Sequence, residues 1–182
     1  VAQALAADPD LAPALQTKGT ILLRRGELDG ALVLFERAAV NDPQTAEYLY
    51  MQAQILIMKG DETRAMELLQ QALDVEVGHV GANNDLAWLL AGNGQSLDRA
   101  LKLAKRAVRI SSSADTLDTL GYVYLRTGDA DEAVSVLGRA LEARPDSPSI
   151  EYRLGVALAA KGDTKEAKAI LTKALEAPAF KE

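Results

Sequence analysis

The chain holds few residues that could do chemistry. His79 is its only histidine and cysteine is absent, so no His/Cys set can share a metal ion, and a solitary histidine between two helical patterns is expected to be a surface turn residue. Without cysteine there are no disulfides and no thiol chemistry. The carboxylates fall on solvent faces and at helix caps rather than in facing pairs, which supports no acid/base couple. Gly92-Asn93-Gly94 has the glycines of a phosphate loop. It lacks that motif's lysine and Ser/Thr, and no strand precedes it, so it reads as a connecting loop. Lys102, Lys105, Arg106 and Arg109 put cations on one helical face, a pattern that is usually a solvated surface. No catalytic, cofactor-binding or metal-binding residues are expected, and no enzyme.

Composition narrows the partners. Against 20 lysines and arginines stand 26 carboxylates, for a net charge of −6. That balance argues against nucleic acid, whose phosphates need a concentrated basic surface. No apolar run approaches the ~18–20 residues needed to cross a bilayer, so direct membrane insertion is not expected. Hydrophobic residues make up 48% and aromatics only 4% of the chain. Alanine and leucine dominate, which favours close-packed helices over sheet.

The elements that would position any site follow a ladder of small and large residues. Leu117, Leu120, Gly121, Tyr124, Ala133, Leu137, Ala140 and Pro145 recur earlier as Leu15, Gly19, Leu22, Ala31, Phe35, Ala38 and Pro43. They recur later as Leu154, Gly155, Leu158, Ala167, Leu171 and Ala174. Gly121 to Gly155 is a step of 34, as is Pro9 to Pro43, and a fixed period of this size indicates stacked helical repeats. Repeats are expected at about 12–45, 46–79, 80–113, 114–147 and 148–181, after residues 1–11 that match the end of a preceding second helix. The chain is therefore expected to begin mid-repeat, within a longer array. Gly19, Gly121 and Gly155 lie inside helices, at a cost of about 1 kcal/mol each relative to alanine. A close approach to the small second-helix positions Ala31, Ala133 and Ala167 would explain them. Phe35, Leu137 and Tyr124 are then expected to fill the gap towards the next repeat. Asp129 with Glu132, and Asp163 with Glu166, have the spacing of capping boxes.

This ladder resembles the tetratricopeptide repeat (TPR) family along essentially the whole chain. The resemblance implies an all-α fold, a TPR-type α-solenoid of antiparallel helix pairs wound as a right-handed superhelix, with first helices lining the concave side. It further implies that Tyr50, Gln54, Asn84, Trp88, Asp118, Tyr122 and Tyr152 face the concave groove. In a chain so poor in aromatics, that gathering suggests recognition of a peptide or partner protein. The alternative for Trp88 and Tyr122 is packing between adjacent first helices. Tyr48, Phe35 and Tyr124 are expected to pack. The positions of the family's chaperone-tail clamp hold Gln16, Thr20, Glu47, Met51 and Met58, with none of the required basic residues, so that ligand is not expected.

A narrower likeness lies in Asn83-Asn84-Asp85-Leu86-Ala87-Trp88-Leu89-Leu90-Ala91, Leu117-Asp118-Thr119-Leu120-Gly121-Tyr122 and Ile150-Glu151-Tyr152-Arg153-Leu154-Gly155. These runs are similar to the C-terminal repeats of bacterial TPR proteins encoded with exopolysaccharide and exosortase (PEP-CTERM) export systems. That would imply a periplasmic or envelope-associated scaffold in a Gram-negative bacterium. Two function classes stay open: a non-catalytic scaffold, or a targeting and regulatory arm of a larger enzyme or secretion machine. Apolar repeat faces at both ends also make end-to-end self-association an expectation.

Overall fold

The computed structural model describes residues 2–177. Residue 1, and residues 178–182 in which the last expected repeat ends, lie outside them. Among the described residues the chain is helical throughout, without strands. It divides into two units, 1–83 and 84–182. In the first unit a short α1 (Ala2–Ala7) precedes α2 (Ala12–Arg24), α3 (Leu28–Asn41), α4 (Ala46–Met58) and α5 (Glu62–Val75). Helix α6 (Val80–Gly92) begins in the first unit and ends in the second, which continues with α7 (Leu97–Ile110), α8 (Ala114–Thr127), α9 (Ala130–Ala143), α10 (Pro148–Lys161) and α11 (Thr164–Glu176). Helices adjacent in sequence pack as pairs: α2 with α3 and α4 with α5 in the first unit, α8 with α9 and α10 with α11 in the second.

Backbone chemistry sets the hairpin turns. Helix α8 ends at Gly128 with φ +88° and α10 at Gly162 with φ +101°, the left-handed conformation that costs glycine nothing. The Gly128 amide bonds back to the Tyr124 carbonyl. The turn before α7, which carries an extra residue, also draws Ser96 into this region at φ +45°. The capping boxes expected at Asp129 and Asp163 do not form: neither side chain caps its helix. Asp129 accepts instead from the Thr127 hydroxyl at 2.6 Å, and Asp163 lies 3.5 Å from the Lys161 ammonium. The box that does form joins Ser113 and Thr116 at the start of α8, and Asp61 caps α5 through the Arg64 amide.

Each unit closes its own core. In the first, Leu15, Phe35, Tyr48 and Ile55 are buried together, and Gln52 meets its burial cost by donating to the Phe35 carbonyl at 3.2 Å. In the second, Leu86, Leu117, Val123, Leu137, Ile150 and Leu154 are buried. The helical glycines work differently from the expected small-on-small crossing. A Cβ on Gly19 would sit 3.0 Å from the Phe35 ring, one on Gly121 would meet the branched end of Leu137, and one on Gly155 would lie 2.6 Å from Leu171 Cγ. In each case the partner is sixteen positions on. Phe35, Leu137 and Leu171 thus pack down onto the glycine of their own hairpin, while Phe35 also shares its buried cluster with Tyr48 and Ile55 of the next repeat, as expected.

Cations close several hairpins from outside. Arg37 on α3 donates to the Pro9 carbonyl and to Asp10 at 2.7 Å. Arg144, after α9, bonds both oxygens of Asp115 in the first turn of α8. Lys173 on α11 reaches Glu151 in the first turn of α10 at 2.5 Å. The Arg37 and Arg144 pairs are exposed and contribute about 0–1 kcal/mol each, so they orient their hairpins more than they hold them. Lys173 instead supplies the counter-charge of a buried carboxylate, Glu151.

Candidate recognition surface

The first helices carry the residues singled out above, and they fall into two groups, one in each unit. In the first unit, Tyr50 and Gln54 lie one turn apart on α4, and Gln54 Nε2 donates to the Tyr50 hydroxyl at 2.5 Å. The Tyr50 ring lies over Gly81 at the start of α6, where an added Cβ would come within 2.5 Å of Cζ. Its other neighbour is His79, at a centroid separation of 4.7 Å and a tilt of 48°.

His79 is therefore not the surface turn residue expected. Its side chain is 11% exposed, and both ring nitrogens are engaged. Nδ1 accepts from the Ala82 amide at 3.1 Å, capping α6, and Nε2 lies 3.1 Å from Glu47 Oε2. An Nδ1 that accepts a backbone N–H leaves the proton on Nε2, where Glu47 receives it. This histidine ties α4 to the first turn of α6.

The second group centres on Trp88 on α6 and Tyr122 on α8. Their ring centroids are 4.3 Å apart with planes inclined by 33°. The aromatics pack between adjacent first helices and yet keep an exposed edge, since Trp88 remains 37% exposed. Arg153 on α10 lies 5.2 Å from the Trp88 ring, while its Nε and Nη2 donate to the two oxygens of Asp118, the former at 2.6 Å. Arg126 donates to the Tyr122 hydroxyl and to the Gly92 carbonyl, each at 3.1 Å. Trp88, Asp118 and Tyr122 are thus joined through Arg153 and by direct stacking. Tyr152, next to Arg153 on α10, is 39% exposed. Asn84 on α6 donates to Asp85 at 3.2 Å, and its Oδ1 is buried without a partner. Of the expected packing residues, Phe35 and Tyr48 are buried. Tyr124 is only half-buried, with Lys105 5.4 Å above its ring.

Two arginines of this cluster do not stand out in the sequence: Arg126 carries no motif, and Arg153 reads as a solitary cation. The available signal was the repeat itself, since Arg126 lies 34 positions from Gly92 and Arg153 lies 35 from Asp118. Asp115, at the start of α8, is held below the usual carboxylate range, chiefly by its hydrogen bonds to Arg144. Among the described residues no group of three or more His, Cys, Asp or Glu could hold a metal ion. No helix there is long and apolar enough to cross a membrane. The surface offers aromatic edges framed by charged groups already engaged within the protein, a chemistry suited to contact and shape.

Comparison with known proteins gives the same architecture. The chain is 25% identical over 148 residues to BBSome complex member BBS4 of Bos taurus, a match covering 79% of this chain and 27% of that protein. The chain thus spans about a quarter of the length of that relative. Among solved structures, it superposes on YrrB, described as a TPR protein with an unusual peptide-binding site, with a TM-score of 0.78 and 23% identity, covering 96% of this chain and 90% of that one. It superposes on MamA from Desulfovibrio magneticus RS-1 with a TM-score of 0.77 and 23% identity, covering 91% and 93%. Tetratricopeptide-repeat models match residues 17–76 and 124–180, together more than half of the sequence. With helix pairs recurring on a 34-residue step and glycines seated under the second helices, the chain belongs to the tetratricopeptide repeat family.

Proposed function

We propose that the protein is a non-catalytic scaffold that holds a peptide or a partner protein against its first helices, through Tyr50 and Gln54 in one unit and Asn84, Trp88, Asp118, Tyr122 and Tyr152 in the other. The observation that carries this reading is the Trp88–Tyr122 stack. Two large aromatics meet with an edge left open, and Arg153 and Arg126 are pinned around them by Asp118 and the Gly92 carbonyl. A surface whose side chains are already fixed loses little conformational freedom on binding. Buried-edge Trp and Tyr are the residue types that dominate binding energy. The TPR family's general role in protein–protein contacts supports the reading, as does the unusual peptide-binding site described for YrrB.

The finer placement, in a bacterial export or envelope assembly, rests on the residue runs of α6, α8 and α10 alone. The other reading, a targeting or regulatory arm of a larger protein, is favoured by the short span of the chain within its curated relatives.

The test is selection of binders from a random peptide library, followed by calorimetric titration of the selected peptides with wild type, Trp88→Ala, Tyr122→Ala and Tyr152→Ala. Loss of about tenfold or more in affinity for the first two, about 1.4 kcal/mol each, is expected. Equal affinity across all four proteins would make the aromatic cluster structural and defeat the proposal.

A further inference from the structure

The second helix α7 carries Arg99, Lys102, Lys105, Arg106 and Arg109 against one carboxylate, Asp98. Its apolar face is already spent in the fold, with Ala100, Leu103, Ala104 and Ala107 buried. Arg99, Lys102, Lys105 and Arg109 are exposed and Arg106 is half-buried, so the cations form a stripe at steps of three and four along one side. At 1.5 Å per residue this stripe is about 15 Å long.

The stripe is set apart by its concentration of like charge more than by pairing, since Lys18, Arg24 and Arg25 likewise form no ion pair among the described residues. Arg37, Lys59, Arg144, Arg153, Lys161 and Lys173 each meet a carboxylate. Lys102, Lys105, Arg106 and Arg109 form no ion pair among the described residues, and Lys105 instead covers the Tyr124 ring. Like charges at i, i+4, as in Lys102–Arg106 and Lys105–Arg109, work against a helix. A face whose only task is solubility would mix the signs. Just beyond the end of α7 the next hairpin brings a further cation, Arg139, which donates to Ser112 at 3.4 Å.

We infer that the outer face of α7 is a docking surface for an acidic segment of a partner protein. Charge complementarity selects the occupant. With five cations against Asp98, α7 carries +4 while the chain as a whole carries −6, so everything outside α7 carries −10. An extended polyanion such as an anionic bilayer needs cations over far more than one helix, and the rest of the chain offers it net negative charge. A segment no wider than one helix, about 10–12 Å, meets α7 alone. Few large apolar side chains are offered for insertion into a bilayer, Ile110 being the exposed one on this helix. Carboxylates spaced three and four residues apart on a partner helix would match the stripe. This surface is separate from the Trp88–Tyr122 cluster and does not depend on that cluster's function.

The test uses a fluorescein-labelled peptide of repeating Glu-Ala-Ala-Glu, roughly 16 residues long to span the stripe, with its lysine counterpart as control. Fluorescence anisotropy is read against the whole chain at low salt and at about 0.3 M NaCl. Wild type is expected to bind the glutamate peptide and not the lysine one, with affinity falling as salt rises. The variant Lys102→Gln/Arg106→Gln/Arg109→Gln, which leaves Lys105 on Tyr124, is expected to lose about tenfold. The variant Lys18→Gln/Arg24→Gln/Arg25→Gln removes the same charge from α2 and its end, and is expected to change affinity less than twofold. Circular dichroism checks folding, and single Arg109→Gln carries the comparison if the triple variant unfolds. Equal loss in the two triple variants, absence of binding by wild type, or stronger binding to phosphatidylserine vesicles than to the peptide would each overturn the inference, the last in favour of a membrane surface.

Discussion

Arg153 on α10 grips Asp118 on α8 with two donors of one guanidinium, and the same group lies over the face of Trp88 on α6. One side chain therefore sets the spacing of three successive first helices. The geometry uses what arginine has and lysine lacks, a planar fork that can bond a carboxylate while stacking on a ring. It also makes the aromatic cluster part of the fold as well as of the candidate surface, so stability and binding must be read together.

Removing one partner exposes that dual role. The Arg153 side chain is 19% exposed and that of Asp118 15%, so Asp118→Ala leaves a poorly solvated cation without its counter-charge. We expect a loss of about 2 kcal/mol, below the 3–5 kcal/mol of fully buried pairs, in chemical denaturation. Asp118→Ala combined with Arg153→Met should be less destabilised than Asp118→Ala alone. Additive losses would show that the two groups do not act on each other.

The Trp88–Tyr122 contact can be isolated by a double-mutant cycle. Stability measured for Trp88→Leu, Tyr122→Leu and the double variant should give a coupling of about 0.5–1.5 kcal/mol, the range of stacked aromatic pairs. A coupling near zero would mean that the two rings are neighbours only. Tyr152→Leu, on the half-exposed tyrosine of α10, serves as the comparison and should change stability least of the three.

The fold class was legible because close packing of helix pairs leaves its mark at fixed intervals. A glycine in mid-helix survives only where something presses on it, and Gly19, Gly121 and Gly155 recur with the period of the hairpin. What presses was not legible, since the direction taken by Phe35 or Leu137 depends on backbone geometry rather than on residue type. The expected capping boxes fail for a related reason. Asp129 and Asp163 have the right spacing to a glutamate, but the Thr127 hydroxyl and the Lys161 ammonium compete for the same oxygens. His79 reads as a surface turn residue until the fold brings Glu47 and Tyr50, some thirty positions upstream, against its ring. The aromatic pair could be picked out from the repeat register, but the arginines that lock it are visible only as side chains one repeat away.

Acid should weaken the closure of the α8–α9 hairpin. The Arg144 hydrogen bonds hold the Asp115 carboxyl below its usual 3.8, with partial burial opposing and charge attraction adding. A depressed folded-state pKa stabilises the protein above the unfolded value and loses that contribution as pH falls through the folded one. Wild type should melt above Asp115→Asn at pH 7, and the gap should close as the pH is lowered below about 3.8. Both side chains are more than half exposed, so ~1 M NaCl at neutral pH should narrow the gap as well. A gap indifferent to pH would show that the carboxylate charge is not what binds Arg144.

Two glycines on facing helices of one hairpin should respond to alanine in opposite directions. Gly138 is inside α9, and a Cβ added there meets nothing within 4 Å. Gly138→Ala should therefore stabilise by about 0.5–1 kcal/mol, through the reduced freedom of the unfolded chain and better helix propensity. Gly121→Ala gains the same propensity, but its methyl group would lie 2.6 Å from Leu137 Cδ2. Leu137 is fully buried, so it has no empty space to retreat into, and overpacking of this kind costs about 1–3 kcal/mol. The net change should be destabilising. Leu137→Ala in the Gly121→Ala background should then cost less than Leu137→Ala alone, because the new methyl occupies part of the space it vacates. Melting of the four proteins decides the matter: if Gly121→Ala stabilises as Gly138→Ala does, the helices do not pack through Leu137, and the reason given for glycine at positions 19, 121 and 155 fails with it.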